Sequence, residues 1–499
     1  MAETLATVRH WIGGQEVAGR GDRTAPVFDP ALGVPSKNVS LASQDDVNQA
    51  VAVARGAFPG WRDLSMARRQ QIMFRFRQLL DERKDELAAI ITDEHGKVLS
   101  DALGEIARGL EVVEFATSFP HLVKGEHSAN ISTGVDIHSK HVPLGVVAVI
   151  SPFNFPAMVP LWFFPIAIAA GNTVVLKPSE KDPSASNWLA ALFTEAGLPD
   201  GVFNVLHGDK VAVDGLLEHA DVQAISFVGS TPIAQYIYER AAVAGKRVQA
   251  LGGAKNHMLV LPDADLDLTA DAAVNAGFGS AGERCMAISV VVAVEPVADD
   301  LVAKILSRMA LIRTGDGRRA CDMGPLITRD HRDKVASYIA TAEDDGALVV
   351  VDGRGVGVDG DANGFWLGPT LLDRLPTNSA AYTDEIFGPV LSIVRVASYE
   401  EGLQLINSSK YGNGAAIFTN DGGAARRFEE EVAVGMIGIN VPIPVPIAYY
   451  SFGGFKSSAF GDTKAYGAQG FHFFTREKAV TTRWLDPSHG GINLGFPRN

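Results

Sequence analysis

Between Pro143 and Leu251 the chain alternates short, continuously apolar runs with longer amphipathic ones. GVVAVIS (145–151), NTVVLKPSE (172–180), VFNVLHG (202–208), AISFVGS (224–230) and RVQAL (247–251) are bounded by turn residues and read as buried strands. The apolar stretch from Val159 to Ala170, SASNWLAALFTEAGLP (184–199) and TPIAQYIYERAAVAG (231–245) fill the gaps at helical spacing. Strands separated by crossover helices predict a parallel sheet covered on both faces. After Asp263 the pattern partly restarts: a helix, ISVVVAV (288–294), the helix ADDLVAKILSRMALI (298–312), then strand and helix to about Thr419. The expected fold class is therefore α/β, with two three-layer units meeting near Gly252–Gly253 and a cleft between them.

The flanking segments follow other rules. Residues 42–65 form an alanine-rich amphipathic stretch with acidic residues near its start, and 66–96 continue at helical spacing to Gly96. KGEHSANISTGVDIHSKHV (124–142) interrupts the alternation with polar and β-branched residues, and FHFFTREKAVTTRW (471–484) reads as an isolated strand pair. Both are expected to extend a small β layer across a subunit contact.

Composition narrows the function classes. At 499 residues the chain is too long for one ordinary core. Two cysteines, Cys285 and Cys321, cannot build a disulfide framework, which points to a reducing compartment. No signal-peptide run opens the sequence, and the stretch 159–170 is too short to span a bilayer and contains Pro160 and Pro165. A formal charge of −14 argues against nucleic-acid binding but not against a phosphate cofactor held by backbone dipoles. The expectation is a cytoplasmic protein without membrane or nucleic-acid partners.

Candidate chemistry sits at the strand ends, where parallel sheets bind ligands. In SPFNFP (151–156), Asn154 is either an oxyanion donor or a turn residue satisfying its own backbone. In KPSE (177–180), Lys177 and Glu180 can reach a ribose; the carboxylate would repel a 2′-phosphate, favouring NAD over NADP. A surface ion pair is the alternative. FVGSTPIA (227–234) puts Gly229 and Ser230 at a strand-to-helix turn whose N–H groups suit a pyrophosphate, although it is not a G-x-G-x-x-G motif. SAGERCMAIS (280–289) sets Cys285 among small residues beside Arg284, a cation able to lower a thiol pKa; structural packing is the other reading. In DEIFGPVL (384–391), Glu385 can accept from a second ribose and Phe387 can pack on a nicotinamide. HSKH (138–141) has no nameable carboxylate or thiol partner, so no metal site is expected.

In their order along nearly the whole chain, PFNFP, KPSE, FVGS, GERC, EIFGP and SFGGFKSS resemble the aldehyde dehydrogenase superfamily. That resemblance implies two Rossmann-like domains, NAD-binding (1–123 and 143–251) and catalytic (252–455), with 124–142 and 468–499 as oligomerisation segments of a homotetramer or dimer. It implies Cys285 as nucleophile and Asn154 with the Cys285 amide as oxyanion hole. It also implies Phe153, Lys177, Glu180, Gly229, Ser230, Glu385 and Phe387 as NAD contacts. Ala234 departs from the glycine that many members carry after the GS turn.

VQALGGAKNHM (248–258) departs further. Hydrolytic members carry a glutamate immediately before LGG that activates water; here the position is Ala250, or Leu251 when counted back from Cys285. Loss of a general base typically costs about 10²- to 10⁴-fold. Members without it commonly pass the acyl group to coenzyme A. GGAKNH with GERCMA is similar to the CoA-acylating methylmalonate-semialdehyde subgroup, which also oxidises malonate semialdehyde. Such a substrate bears a carboxylate, for which Arg108, in EIARGLEVVEFA (105–116), and Arg284 are the candidate forks. Two rivals stand beside this reading: a hydrolytic enzyme using another base such as Glu283, and a non-catalytic NAD-binding protein.

Overall fold

A computed structural model describes residues 5–358 and 360–485. The part of the expected oligomerisation segment at 486–499 lies outside the described residues. The first large sheet has eight strands in the order Ala459–Phe460, Arg247–Leu251, Val222–Val228, Val146–Ile150, Thr173–Lys177, Phe203–Val205, His10–Ile12 and Gln15–Val17. Its inner five are parallel, with Ile150 opposite both Phe227 and Lys177. That register brings the loops after residues 150, 177 and 228 to one edge.

The second sheet has seven strands, with Asn256–Val260 between Ile288–Val294 and Gly414–Phe418, all parallel. Only the outer pair Leu348–Val351 and Thr370–Asp373 runs antiparallel. Both sheets are the Rossmann-like α/β layers that the alternation predicts.

Two helices behind the first sheet position the site. Met158–Ala169 is buried at every residue, which explains its apolar sequence as a core helix. Leu99–Thr117 packs on it through Ala102, Ile106, Gly109 and Val113. At Gly109 the approach is so close that a Cβ would sit 2.5 Å from Leu161 Cδ1. No helix among the described residues is long and apolar enough to cross a membrane.

Two local expectations change. The continuous stretch 66–96 divides at Arg83, which ends Met66–Glu82 and begins Lys84–His95. The tail is no strand pair: Gly467–Phe473 is a helix followed by one strand, Thr475–Arg483. Phe471, Phe473 and Phe474 are pulled into the core of the first unit, and Arg247 donates to the carbonyls of His472, Phe473 and Thr475, satisfying the helix end. The strand then pairs antiparallel with Val135–Pro143 from Thr475 opposite Pro143 to Arg483 opposite Val135, and His127–Ser132 completes this third sheet.

Candidate active site

The loop before Cys285 is strained. After the helix Leu266–Phe278, Ser280 (φ 53°), Ala281 (φ 52°) and Gly282 (φ 73°) all take the left-handed conformation. Runs of this kind are held by their surroundings rather than by local preference. Here the holder is the segment 385–389: a Cβ on Gly282 would lie 2.1 Å from the Gly388 carbonyl oxygen. Phe387 is itself left-handed (φ 60°), and its carbonyl meets His331 Nε2 at 2.7 Å.

Two asparagines clamp the Cys285 backbone. Asn256 Nδ2 donates to the Cys285 carbonyl (2.9 Å) and the Ala287 carbonyl (3.0 Å), while its Oδ1 accepts from the Gly414 amide. Asn413 Nδ2 donates to the Cys285 carbonyl at 3.1 Å. Asn154, buried on the loop after Val146–Ile150, donates from Nδ2 to the Glu283 carbonyl at 3.0 Å. An amide nitrogen carries two protons, so the bond that fixes Asn154 uses one of its two N–H groups.

Sequence reasoning offers Arg284 as a cation able to lower the Cys285 thiol; its charge acts in that direction, but it is the smallest of the causes and the thiol ends high. Burial pushes the thiol up to about 12, and the Glu385 charge adds to the rise. The Cys285 and Met286 amides oppose it, and Arg284 opposes it least. The Arg284 guanidinium turns instead to Asp101, 2.5 Å away, on the helix Leu99–Thr117. Cys285, Arg284, Glu385, Phe387, Ala254 and Asn256 line a cavity of about 20 Å³, the size of about one water molecule.

Glu385 accepts from the Ala254 amide at 2.9 Å, and burial raises its carboxyl to about 7. Lys255, whose ammonium donates to the Ala381 and Asp384 carbonyls, braces the segment before it; burial lowers that ammonium to about 7. Glu283, the rival base, faces the interior. Its carboxyl lies 3.5 Å from His331 Nε2 and 3.8 Å from His95 Nε2, pushed up to about 8 by burial, and it does not line the Cys285 cavity.

On the other side of the cleft, Lys177 Nζ donates to the Gly208 carbonyl at 2.6 Å and lies 3.4 Å from Glu180; burial lowers its pKa. The Gly229 amide already donates to the Leu251 carbonyl, which removes it from the expected pyrophosphate set. Ser230 remains at the N-terminus of the helix Thr231–Val243, and its hydroxyl makes no cap bond. Phe153 lies edge-on to Phe387 at 5.9 Å, with Lys181 Nζ 4.6 Å from its ring centre. Arg108 donates to Glu111 (2.9 Å) and to the Pro446 and Val445 carbonyls (3.0 and 3.3 Å). Cys321, away from this set, donates its thiol to the Asp316 carbonyl.

A model of the aldehyde dehydrogenase family matches residues 17–480. The chain belongs to the aldehyde dehydrogenase family. It is 53% identical over 99% of its length to the malonate-semialdehyde dehydrogenase of Pseudomonas aeruginosa, and covers all of that protein. It is 48% identical over 97% of its length to malonate-semialdehyde dehydrogenase 2 of Geobacillus kaustophilus, again covering all of it. Among solved structures, the methylmalonate-semialdehyde dehydrogenase of Oceanimonas doudoroffii matches with TM-score 0.96 and 52% identity over 97% of this chain and 99% of that one. A Sinorhizobium meliloti protein under the provisional name methylmalonate-semialdehyde dehydrogenase, solved with NAD, matches with TM-score 0.96 and 48% identity over the same shares.

Within this aldehyde dehydrogenase, Asn256, Asn413 and Lys255 are the residues that sequence reasoning missed. Asn256 and Lys255 stand inside the GGAKNH motif and Asn413 in a KYGNG turn, where each reads as ordinary loop polarity. Their bonds to backbone carbonyls distant in sequence carry no local signature.

Proposed function

We propose that this chain oxidises malonate semialdehyde or methylmalonate semialdehyde with NAD and transfers the acyl group to coenzyme A, releasing carbon dioxide. Acetyl-CoA or propionyl-CoA is the product. The observation that carries the reading is that Ala250 and Leu251, the two candidates for the position where hydrolytic members hold their base, are both buried apolar residues that cannot take a proton. In this reading residues 1–123 and 143–251 form the NAD-binding domain and 252–455 the catalytic domain. The antiparallel sheet of 127–143 and 475–483 would seat a homotetramer or dimer contact, with the protein working in the cytoplasm.

Lys177, Glu180, Ser230, Phe153, Glu385 and Phe387 would hold NAD; the free hydroxyl of Ser230 and the partly exposed Glu180 carboxylate fit a dinucleotide. Bound there, NAD supplies the hydride acceptor. The Cys285 sulfur attacks the aldehyde carbon, and its own amide with the free N–H of Asn154 stabilises the alkoxide. Loss of hydride leaves an acyl thioester on Cys285. When the C–C bond to the carboxylate breaks to release carbon dioxide, the carbonyl takes up the electron pair as an enolate, which protonation converts to the acetyl or propionyl group. The coenzyme A thiolate then displaces the Cys285 thiolate, forming one carbon–sulfur bond as another breaks. Arg108 and Arg284 are the forks for the substrate carboxylate; each already rests against an acidic side chain of the helix Leu99–Thr117, Glu111 and Asp101.

One observation favours a second reading, hydrolysis: Glu385, held at about 7, shares the water-sized cavity with Cys285. Steady-state NADH formation with malonate semialdehyde, with and without coenzyme A, separates the two. Turnover that requires coenzyme A supports acyl transfer; equal turnover without it establishes hydrolysis. Arg108→Leu is expected to raise KM for the semialdehyde roughly tenfold or more, by removing a charge-assisted fork, with KM for propanal little changed. Equal effects on both aldehydes would remove Arg108 from carboxylate recognition.

A further inference from the structure

We infer that the buried Lys97–Glu105 ion pair is the positioning device for Asn154. This rests on the reading of Asn154 as oxyanion donor and assigns two residues that the mechanism does not use. Lys97 Nζ donates to the Asn154 carbonyl and to Glu105 Oε2, each at 2.7 Å, and lies 4.5 Å from the Phe155 ring centre. Glu105 Oε1 accepts from the Ala157 and Met158 amides at 2.8 and 3.1 Å. Both side chains are fully buried. One carboxylate and one ammonium thus bind the loop 154–158 at three backbone points, on both sides of Phe155 and Pro156.

The pair is anchored from two directions. Glu105 sits on Leu99–Thr117 between Asp101 and Arg108, and steps of four and three residues put all three on one helix face. Asp101 holds Arg284 beside the nucleophile, and Arg108 holds the Val445–Pro446 backbone at the other end. Lys97 is fixed from the second unit: Leu99 N donates to the Gly317 carbonyl, and Cβ atoms on Gly317 and Gly324 would lie 2.5 and 2.1 Å from the Lys97 and Gly96 carbonyl oxygens. The second unit, which carries Cys285, therefore backs the residue that holds Asn154. A buried ion pair is poor evidence of stabilisation for its own sake, since apolar replacements often serve as well. What this pair supplies is a fixed location for one amide relative to one sulfur.

The test is a double-mutant cycle read in the pre-steady-state burst of NADH that reports acylation. Asn154→Ala is expected to slow the burst by about 10²-fold or more, the usual effect of losing an oxyanion donor. Lys97→Met is expected to slow it by about 10- to 100-fold, with NAD affinity and KM within about threefold of wild type. In the Asn154→Ala background, Lys97→Met is expected to add less than about threefold, because residues acting through one group are not additive. Glu105→Gln, nearly isosteric, is expected to show a smaller loss with the same non-additivity, and it decides by the same criterion if Lys97→Met does not fold. Losses that multiply fully in both backgrounds, or a Lys97→Met burst equal to wild type, overturn the assignment alone. An unchanged burst in Asn154→Ala overturns the oxyanion reading and this inference together.

Discussion

Cys285→Ser is expected to abolish NADH formation from every aldehyde, a loss of about 10³-fold or more, while NAD binding persists. The site asks much even of a thiol: burial and the Glu385 charge push Cys285 up to about 12. A hydroxyl starts several pH units higher, and neither Ala250 nor Leu251, the two candidates for the family's usual base position, can take its proton. The same physics predicts that alkylation of the wild-type apo thiol by iodoacetamide rises about tenfold per pH unit, without a plateau below pH 10. Binding is checked by quenching of protein fluorescence on NAD addition and oxidation by absorbance at 340 nm. Retained oxidation in Cys285→Ser would move the nucleophile elsewhere.

Gly282→Ala is expected to be nearly as damaging, though it removes no chemical group. The added methyl would meet the Gly388 carbonyl oxygen at 2.1 Å, backbone against backbone, at a residue already at φ 73°. Overpacking and left-handed strain together predict a loss of about 3 kcal/mol or more. Relief can come only by parting the Gly282–Cys285 loop from 385–389, which also carries Glu385 and Phe387. Thermal unfolding should fall by several degrees, and the residual folded protein should lose both NAD affinity and burst rate. A variant with wild-type stability and burst would mean that the two loops do not depend on each other.

Much of the architecture is legible in the sequence because parallel strands buried on both faces have nowhere to hide their apolar runs: GVVAVIS and ISVVVAV stand out without context. The strand ends then place Asn154, Lys177 and Glu180 at one edge of the first sheet. Legibility fails where a residue's role depends on a partner far along the chain. Adjacency suggests that Arg284 acts on Cys285, yet its partner is Asp101, 183 residues away. A GS turn suggests free amides, yet the Gly229 amide is bonded to Leu251 on the neighbouring strand. FHFF looks like a strand because aromatics favour strands, until the first unit's core takes three phenylalanines and the helix with them.

The stripe of Asp101, Glu105 and Arg108 also bears on how this enzyme can change. One residue inserted between 101 and 105 would rotate everything beyond it by about 100° and advance it by about 1.5 Å, detaching the 154–158 loop from Glu105 and the Val445–Pro446 backbone from Arg108 in a single event. Variation in chain length is therefore closed to this helix. Evolution, or a designer, is left with point changes along the stripe or with changes at the Val445–Pro446 backbone that Arg108 holds.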